Sequence, residues 1–96
     1  MFDKLNNLME MKKQAERIKK ELDNTMVEVN AVNGIKIVVN GVQNFQSLEI
    51  DENLVSKGNK QRLEADLLRC VNEAIKKSQE LATQKMKAVM PGFPRV

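Results

Sequence analysis

Leu67, Ala74, Leu81 and Ala88 recur every seven residues, and that repeat constrains the fold of this chain more than any other feature. Leu63, Cys70 or Val71, and Ile75 or Ser78 support it at the intermediate steps. Apolar residues at steps of three, four and seven form one stripe of a helix. Asn59 stands where an N-cap belongs, and Pro91 with Gly92 ends the helix, because the residue before a proline is pushed out of helical geometry. The helix is therefore expected over about residues 60–89. At a rise of 1.5 Å per residue it is roughly 45 Å long, whereas a compact domain of this size has a radius of gyration of about 12–13 Å. It must overhang the core it packs on.

The N-terminal segment repeats the theme. Leu8, Met11, Ala15, Ile18 and Leu22 alternate steps of three and four, Leu5 extends the stripe, and the intervening positions are charged or amide, which predicts a helix over about residues 3–24. Met9 and Met11 read as flexible packing residues on it. From Thr25 the period changes to two: Val27, Val29 and Ala31 alternate with Glu28 and Asn30, then Ile35, Ile37 and Val39 with Lys36, Val38 and Asn40. These are two strands joined at Asn33-Gly34, a strong hairpin signal. A strict two-residue turn sets Val27 and Val29 on the opposite face from Ile37 and Val39. A three-residue loop, Val32-Asn33-Gly34 with Gly34 left-handed, instead pairs Ala31 with Ile35, Val29 with Ile37 and Val27 with Val39, and makes one face wholly apolar. The second arrangement is expected. Asn40-Gly41 then turns the chain into a weaker third strand from about Val42 to Ile50, with Val42, Leu48 and Ile50 in phase, and a flexible stretch follows around Ser56-Lys57-Gly58-Asn59. The reading is a single α+β domain over 1–96: a helix (about 3–24), a three-stranded antiparallel β-meander (26–50), a longer helix (60–89) and a Pro/Gly tail (90–96).

Size and composition limit the functions open to it. A chain of 96 residues, 42% hydrophobic and 30% charged, has room for one domain and none of the composition of a disordered segment. No signal peptide opens it and no apolar run reaches the roughly 20 residues of a membrane span, so a cytoplasmic protein that uses no membrane is expected. Cys70, the single cysteine, has no internal disulfide partner and reads as a buried thiol. There is no histidine, no zinc-ligand spacing and no Walker-type phosphate loop. Glu49, Asp51 and Glu52 are the only clustered carboxylates, better placed to end a strand and cap the next turn than to act as an acid/base pair. The expectation is a binding protein, not an enzyme, with no catalytic residue, no metal, no cofactor and no small-molecule substrate.

An overhanging helix with a continuous apolar seam needs cover, and symmetric homodimers are the commonest way soluble chains provide it. A homodimer is therefore expected, with Leu8, Met11, Ala15, Ile18, Leu22, Ile35, Ile37, Val39, Leu67, Ala74 and Leu81 as its core and dimer packing residues. The alternative is that the two helices of one chain cover each other as a hairpin.

Charge has a direction although the net value is only +3. Residues 1–24 carry 6 basic and 5 acidic groups, 25–58 carry 2 and 4, and 59–96 carry 8 and 4. The basic end of the second helix suits a phosphate backbone, and a lysine-rich face that is merely solvated is the competing explanation.

Four segments together resemble the YbaB/EbfC nucleoid-associated proteins: Val38-Val39-Asn40-Gly41, Ser47-Leu48-Glu49-Ile50-Asp51, the Met1-Phe2 start with its lysine-rich helix, and Met90-Pro91-Gly92-Phe93-Pro94. The resemblance covers nearly the whole chain. Two departures stand out, Glu52 where the family usually has a proline after the strand-ending Asp, and a shorter first hairpin than many relatives. The resemblance implies a homodimer with a central sheet and helices projecting like the arms of tweezers, binding double-stranded DNA in the nucleoid, with a role in its organisation or in transcription.

Residue types add the mode of binding. There is no Trp or Tyr and only Phe2, Phe45 and Phe93, which leaves no aromatic platform for unpaired bases. The 16 basic residues are 12 Lys and 4 Arg, so phosphate contact is expected to outweigh bidentate Arg–guanine readout. The candidate DNA-binding residues are Lys12, Lys13, Arg17, Lys19 and Lys20 on one arm and Lys76, Lys77, Lys85 and Lys87 on the other. A competing reading takes the helix–hairpin–helix plan as that of a small coiled-coil chaperone of the prefoldin kind, without DNA binding; that version predicts apolar helix tips.

Overall fold

No glycine or proline interrupts the chain from Phe2 to Asp23, and these 22 residues form helix α1 (Phe2–Asp23). Its last turn is closed by side chains: Asn24 Nδ2 donates to the Lys20 carbonyl at 3.0 Å and Thr25 Oγ1 to the Glu21 carbonyl at 2.6 Å, which satisfies acceptors a helix end leaves open. The structure, a computed structural model, describes residues 2–89, with side chains over 5–88. The tail expected over 90–96 lies outside the described residues.

Alternation then yields three antiparallel strands in the order of the chain, β1 (Met26–Val32), β2 (Ile35–Asn40) and β3 (Phe45–Ile50). Val27 pairs with Val39 and Val29 with Ile37, so the apolar face expected from parity is present. The loop that achieves it differs from the expected one. Val32, not Ala31, pairs with Ile35, leaving only Asn33-Gly34 as the turn, and a bulge between Val29 and Val32 absorbs the odd residue. A bulge restores phase as a longer loop does, by adding one unpaired residue to one strand. Gly34 has the positive φ expected of it, 94°, and a Cβ there would sit 2.8 Å from Leu54 Cδ1.

The third strand starts at Phe45, three residues later than expected, and Val42 is not part of it. Its pairing with β2 also carries a bulge: Leu48 faces Ile37 and Ser47 faces Val38, yet Phe45 faces Val39. Residues 45 and 48 thereby share one face of the sheet despite opposite parity.

Asp51 ends the sheet as expected. Its Oδ1 accepts from the Asn53 amide at 3.0 Å and caps a single 3-10 turn, Glu52–Leu54. The segment expected to be flexible forms a second such turn, Lys57–Asn59. Asn59 precedes α2 (Lys60–Val89, 30 residues), but its side-chain bond runs backwards, from Nδ2 to the Leu54 carbonyl at 2.7 Å, and anchors the helix start to the connection.

Helix α2 lies across β1 and β2. Cys70 and Ala74 meet Val29, Ile35, Ile37 and Val39 in the buried core, with Leu63, Leu67 and Val71 packed around them. The opposite face of the sheet is mixed, with Lys36 Nζ 3.4 Å from Glu28 and 3.7 Å from Glu49 alongside Met26 and Val38. Past Ser78, α2 leaves the sheet and runs beside α1 in the opposite sense, where Lys85 Nζ lies 3.9 Å from Glu21. The overhang follows: the molecule measures 68 × 22 × 16 Å with a radius of gyration of 18.4 Å, well beyond the compact value of about 12–13 Å.

Candidate nucleic-acid interface

The two ends of the molecule differ in charge. At the sheet end Glu28, Glu49, Asp51 and Glu52 outnumber Lys36 and Lys57. The first turns of α2 balance their own charge, Lys60 with Glu64 at 3.8 Å and Arg62 with Asp66 at 3.9 Å. A polyanion meets no net attraction there. The arms, formed by α1 and the distal half of α2, are different.

On α1, Lys12, Lys13, Arg17, Lys19 and Lys20 are all exposed, and none takes part in an ion pair among the described residues. Helical spacing splits them into two rows. Lys13, Arg17 and Lys20 stand at i, i+4 and i+7 and share one face, while Lys12 and Lys19, seven apart, share another beside Glu16. On α2 the four candidates are not equivalent. Lys77 pairs with Glu80 at 3.8 Å and Lys85 with Glu21 at 3.9 Å. Lys76 and Lys87 have no such partner among the described residues and line one shallow groove with Gln79, Thr83, Gln84 and one carboxylate, Glu80. Eleven residues apart on one helix, they are separated by about 16 Å along its axis.

Of the packing candidates, Ile18, Leu22, Ile35, Ile37, Val39 and Ala74 are buried, and Leu67 and Leu81 are half-buried. Leu8, Met11 and Ala15 are exposed, Leu8 by 63%. The intrachain hairpin therefore covers only the lower part of the α1 seam, where Ile18 and Leu22 adjoin Val42 and Met86.

A further apolar surface was not among the packing candidates. Phe45 (47% exposed) and Leu48 (55%) stand open on the helix side of the sheet, beside Ile37 and Val71, and Leu68 (64%) is exposed on α2 one turn before Val71. The signal for it was present: Leu68, Val71, Ile75 and Ala82, with steps of three, four and seven, make a second stripe on α2 next to the one that packs on the sheet. Among the described residues no three His, Cys, Asp or Glu side chains gather as a metal set, and Cys70 is a buried free thiol. No helix of the described residues is long and apolar enough to cross a membrane.

Fold and surface together define a class: an α+β chain of helix, meander and helix whose cationic side chains cluster on projecting arms. Residues 1–93 match the YbaB/EbfC DNA-binding family, and the chain belongs to that family. Similar proteins include a nucleoid-associated protein of Dictyoglomus thermophilum, 28% identical over 97% of this chain and 90% of the relative. Others come from Ruminiclostridium cellulolyticum (32% identical, 93% of this chain and 82% of the relative) and Moorella thermoacetica (34%, 83% of each), both named nucleoid-associated proteins. The crystal structure of an uncharacterized protein from Helicobacter pylori shares the fold, with a TM-score of 0.74 over 88% of this chain and 90% of that one at 21% identity.

Proposed function

We propose that the protein is a nucleoid-associated protein that binds double-stranded DNA as a homodimer, mainly through phosphate contacts, and takes part in nucleoid organisation or transcription. The observation that carries this reading is the separation of charge: on the arms Lys12, Lys13, Arg17, Lys19, Lys20, Lys76 and Lys87, in no ion pair among the described residues, and at the other end an acidic, self-neutralised sheet. A duplex approached by such a molecule is drawn to the arms and not to the sheet. Membership of a DNA-binding family and the names of the relatives point the same way.

The dimer is read from the uncovered apolar surface. A two-fold interface sets each patch against itself, so like charges at its centre repel. The surface of Phe45, Leu48 and Val71 carries no charge, and Gln46 and Ser47 beside it are neutral. Pairing there covers the β3 face that α2 leaves open and keeps the arms free to project.

One observation favours the chaperone-like alternative. Leu5, Leu8, Met9 and Met11 are each more than half exposed on α1, and apolar arms are what a client clamp requires. Titration of a labelled duplex and of its single strand, beside suppression of aggregation of a denatured client, separates the readings. Duplex binding that outcompetes the single strand, without client protection, is expected; client protection without duplex binding would sink the proposal.

A further inference from the structure

Asn40, one of the residues that carry the family resemblance, lies 2% exposed at the last position of β2, where both arms meet the sheet. Its bonding is unusually complete. Nδ2 donates to the Asp23 carbonyl at 3.2 Å and to Asp23 Oδ1 at 3.1 Å, at the end of α1. Oδ1 accepts from the amides of Val42 at 3.1 Å and Asn44 at 2.8 Å and shapes the turn into β3. Its carbonyl accepts from the hydroxyl of Ser78 at 2.8 Å, and Ser78 is fully buried on α2 at the level where that helix leaves the sheet. The next residue completes the junction: the Gly41 amide donates to the Leu22 carbonyl at 2.8 Å, and a Cβ at Gly41 would lie 2.7 Å from Leu22 Cδ2.

Helix α1 lies along α2 and not along the sheet. Among the described residues, its hydrogen bonds to the strands are the three that meet Asn40 and Gly41. The lysine rows run outward along this lever, from Lys20, one turn from Asp23, to Lys12, eleven residues from Asp23 and about 16 Å along the axis. A small rotation at the root therefore displaces the outermost cations by several ångströms. Only an amide side chain supplies two donors and a doubly accepting oxygen at this length: aspartate lacks the donors and sets a second negative charge against Asp23.

We infer that Asn40 is a positioning residue for DNA binding: it touches no DNA and fixes the placement of the α1 arm relative to α2, so that both rows of cations engage one duplex. The inference rests on the duplex-binding reading above. Pre-organisation of this kind raises affinity by removing the cost of ordering the arms on binding.

The test compares the full-length wild type with Asn40→Ala, Asn40→Asp and the exchanged pair Asn40→Asp with Asp23→Asn, which keeps the wild-type net charge and rebuilds the side-chain bond with reversed polarity. Two quantities are read on each folded protein: duplex affinity at one fixed salt, and amide hydrogen exchange resolved between α1 and the β1–β2 core. In both single variants α1 is expected to exchange faster while the core stays protected, with affinity down roughly tenfold for a cost on the order of one buried hydrogen-bond pair removed. The exchanged pair recovers part of that affinity, because it rebuilds the side-chain bond but not the donation to the Asp23 carbonyl. Should a single variant lose core protection, Asp23→Ala, which removes only the exposed side-chain acceptor on α1 and leaves Asn40 in place, supplies the milder cut, with faster exchange of α1 expected at smaller size. The inference is overturned by Asn40→Ala binding within twofold of the wild type, or by α1 protection that falls only together with that of the core. A wild type that binds no duplex overturns the functional reading itself, which distinguishes that failure from this one.

Discussion

The sheet end and the arm end of this molecule use similar residues to opposite effect. At the sheet, Val29, Ile35, Ile37 and Val39 are buried beneath Cys70 and Ala74 of α2. On the arm, Leu5, Leu8 and Met11 occupy an equally regular stripe and stand open. Hydrophobic periodicity marks which face of an element is apolar; what covers that face depends on where the neighbouring element ends. Helix α2 covers β1 and β2 and leaves the β3 face and the outer α1 seam exposed. Stability is thus concentrated at one end of the molecule, and surface available to partners at the other.

The sharpest way to break this comparison is a matched pair of truncations. Ile37→Ala, in the closed core, is expected to cost about 2–5 kcal/mol, the usual range for a buried Ile or Leu reduced to alanine. Leu8→Ala is expected to cost less than about 0.5 kcal/mol, as exposed substitutions do. Denaturant unfolding at a protein concentration low enough to keep the chain monomeric measures both. Equal costs would mean that the arm is as well packed as the sheet.

A smaller energetic change, with a clear readout in mass, tests the β3 face. Leu48→Lys sets two ammonium groups against each other in the proposed two-fold interface while leaving the buried core residues in place. Chromatography with light scattering is expected to report a wild-type dimer and a Leu48→Lys monomer at the same micromolar concentration. A wild-type monomer, or a variant that remains dimeric, removes this surface from the account.

Much of this comparison was legible in the residues alone. The seven-residue repeat of Leu67, Ala74, Leu81 and Ala88 marked α2, and the alternation through Val27–Val39 marked β1 and β2. The bulges were not, because Asn33-Gly34 is compatible with two loop lengths and Gln46 reverses the parity of β3 without any marker in its own residue type. Leu48 and Phe45 looked out of phase for that reason. The site was legible as a list of cations and not as a surface. Lys85 pairs with Glu21, 64 positions earlier, and Lys77 with Glu80, whereas Lys76 and Lys87 share a groove; spacing along one helix cannot report the first of these pairings.

That distinction among the lysines leads to the most direct measurement of the central claim, the dependence of duplex affinity on salt. If the dimer neutralises about six phosphates, the logarithm of affinity falls against the logarithm of salt with a slope near −5. Lys76→Gln with Lys87→Gln should make that slope shallower by about 1 for each phosphate left without its cation, whereas Lys77→Gln with Lys85→Gln, whose cations already face Glu80 and Glu21, should change it less. A wild-type slope near zero would contradict the account, because a protein held by phosphates must release counterions when it binds.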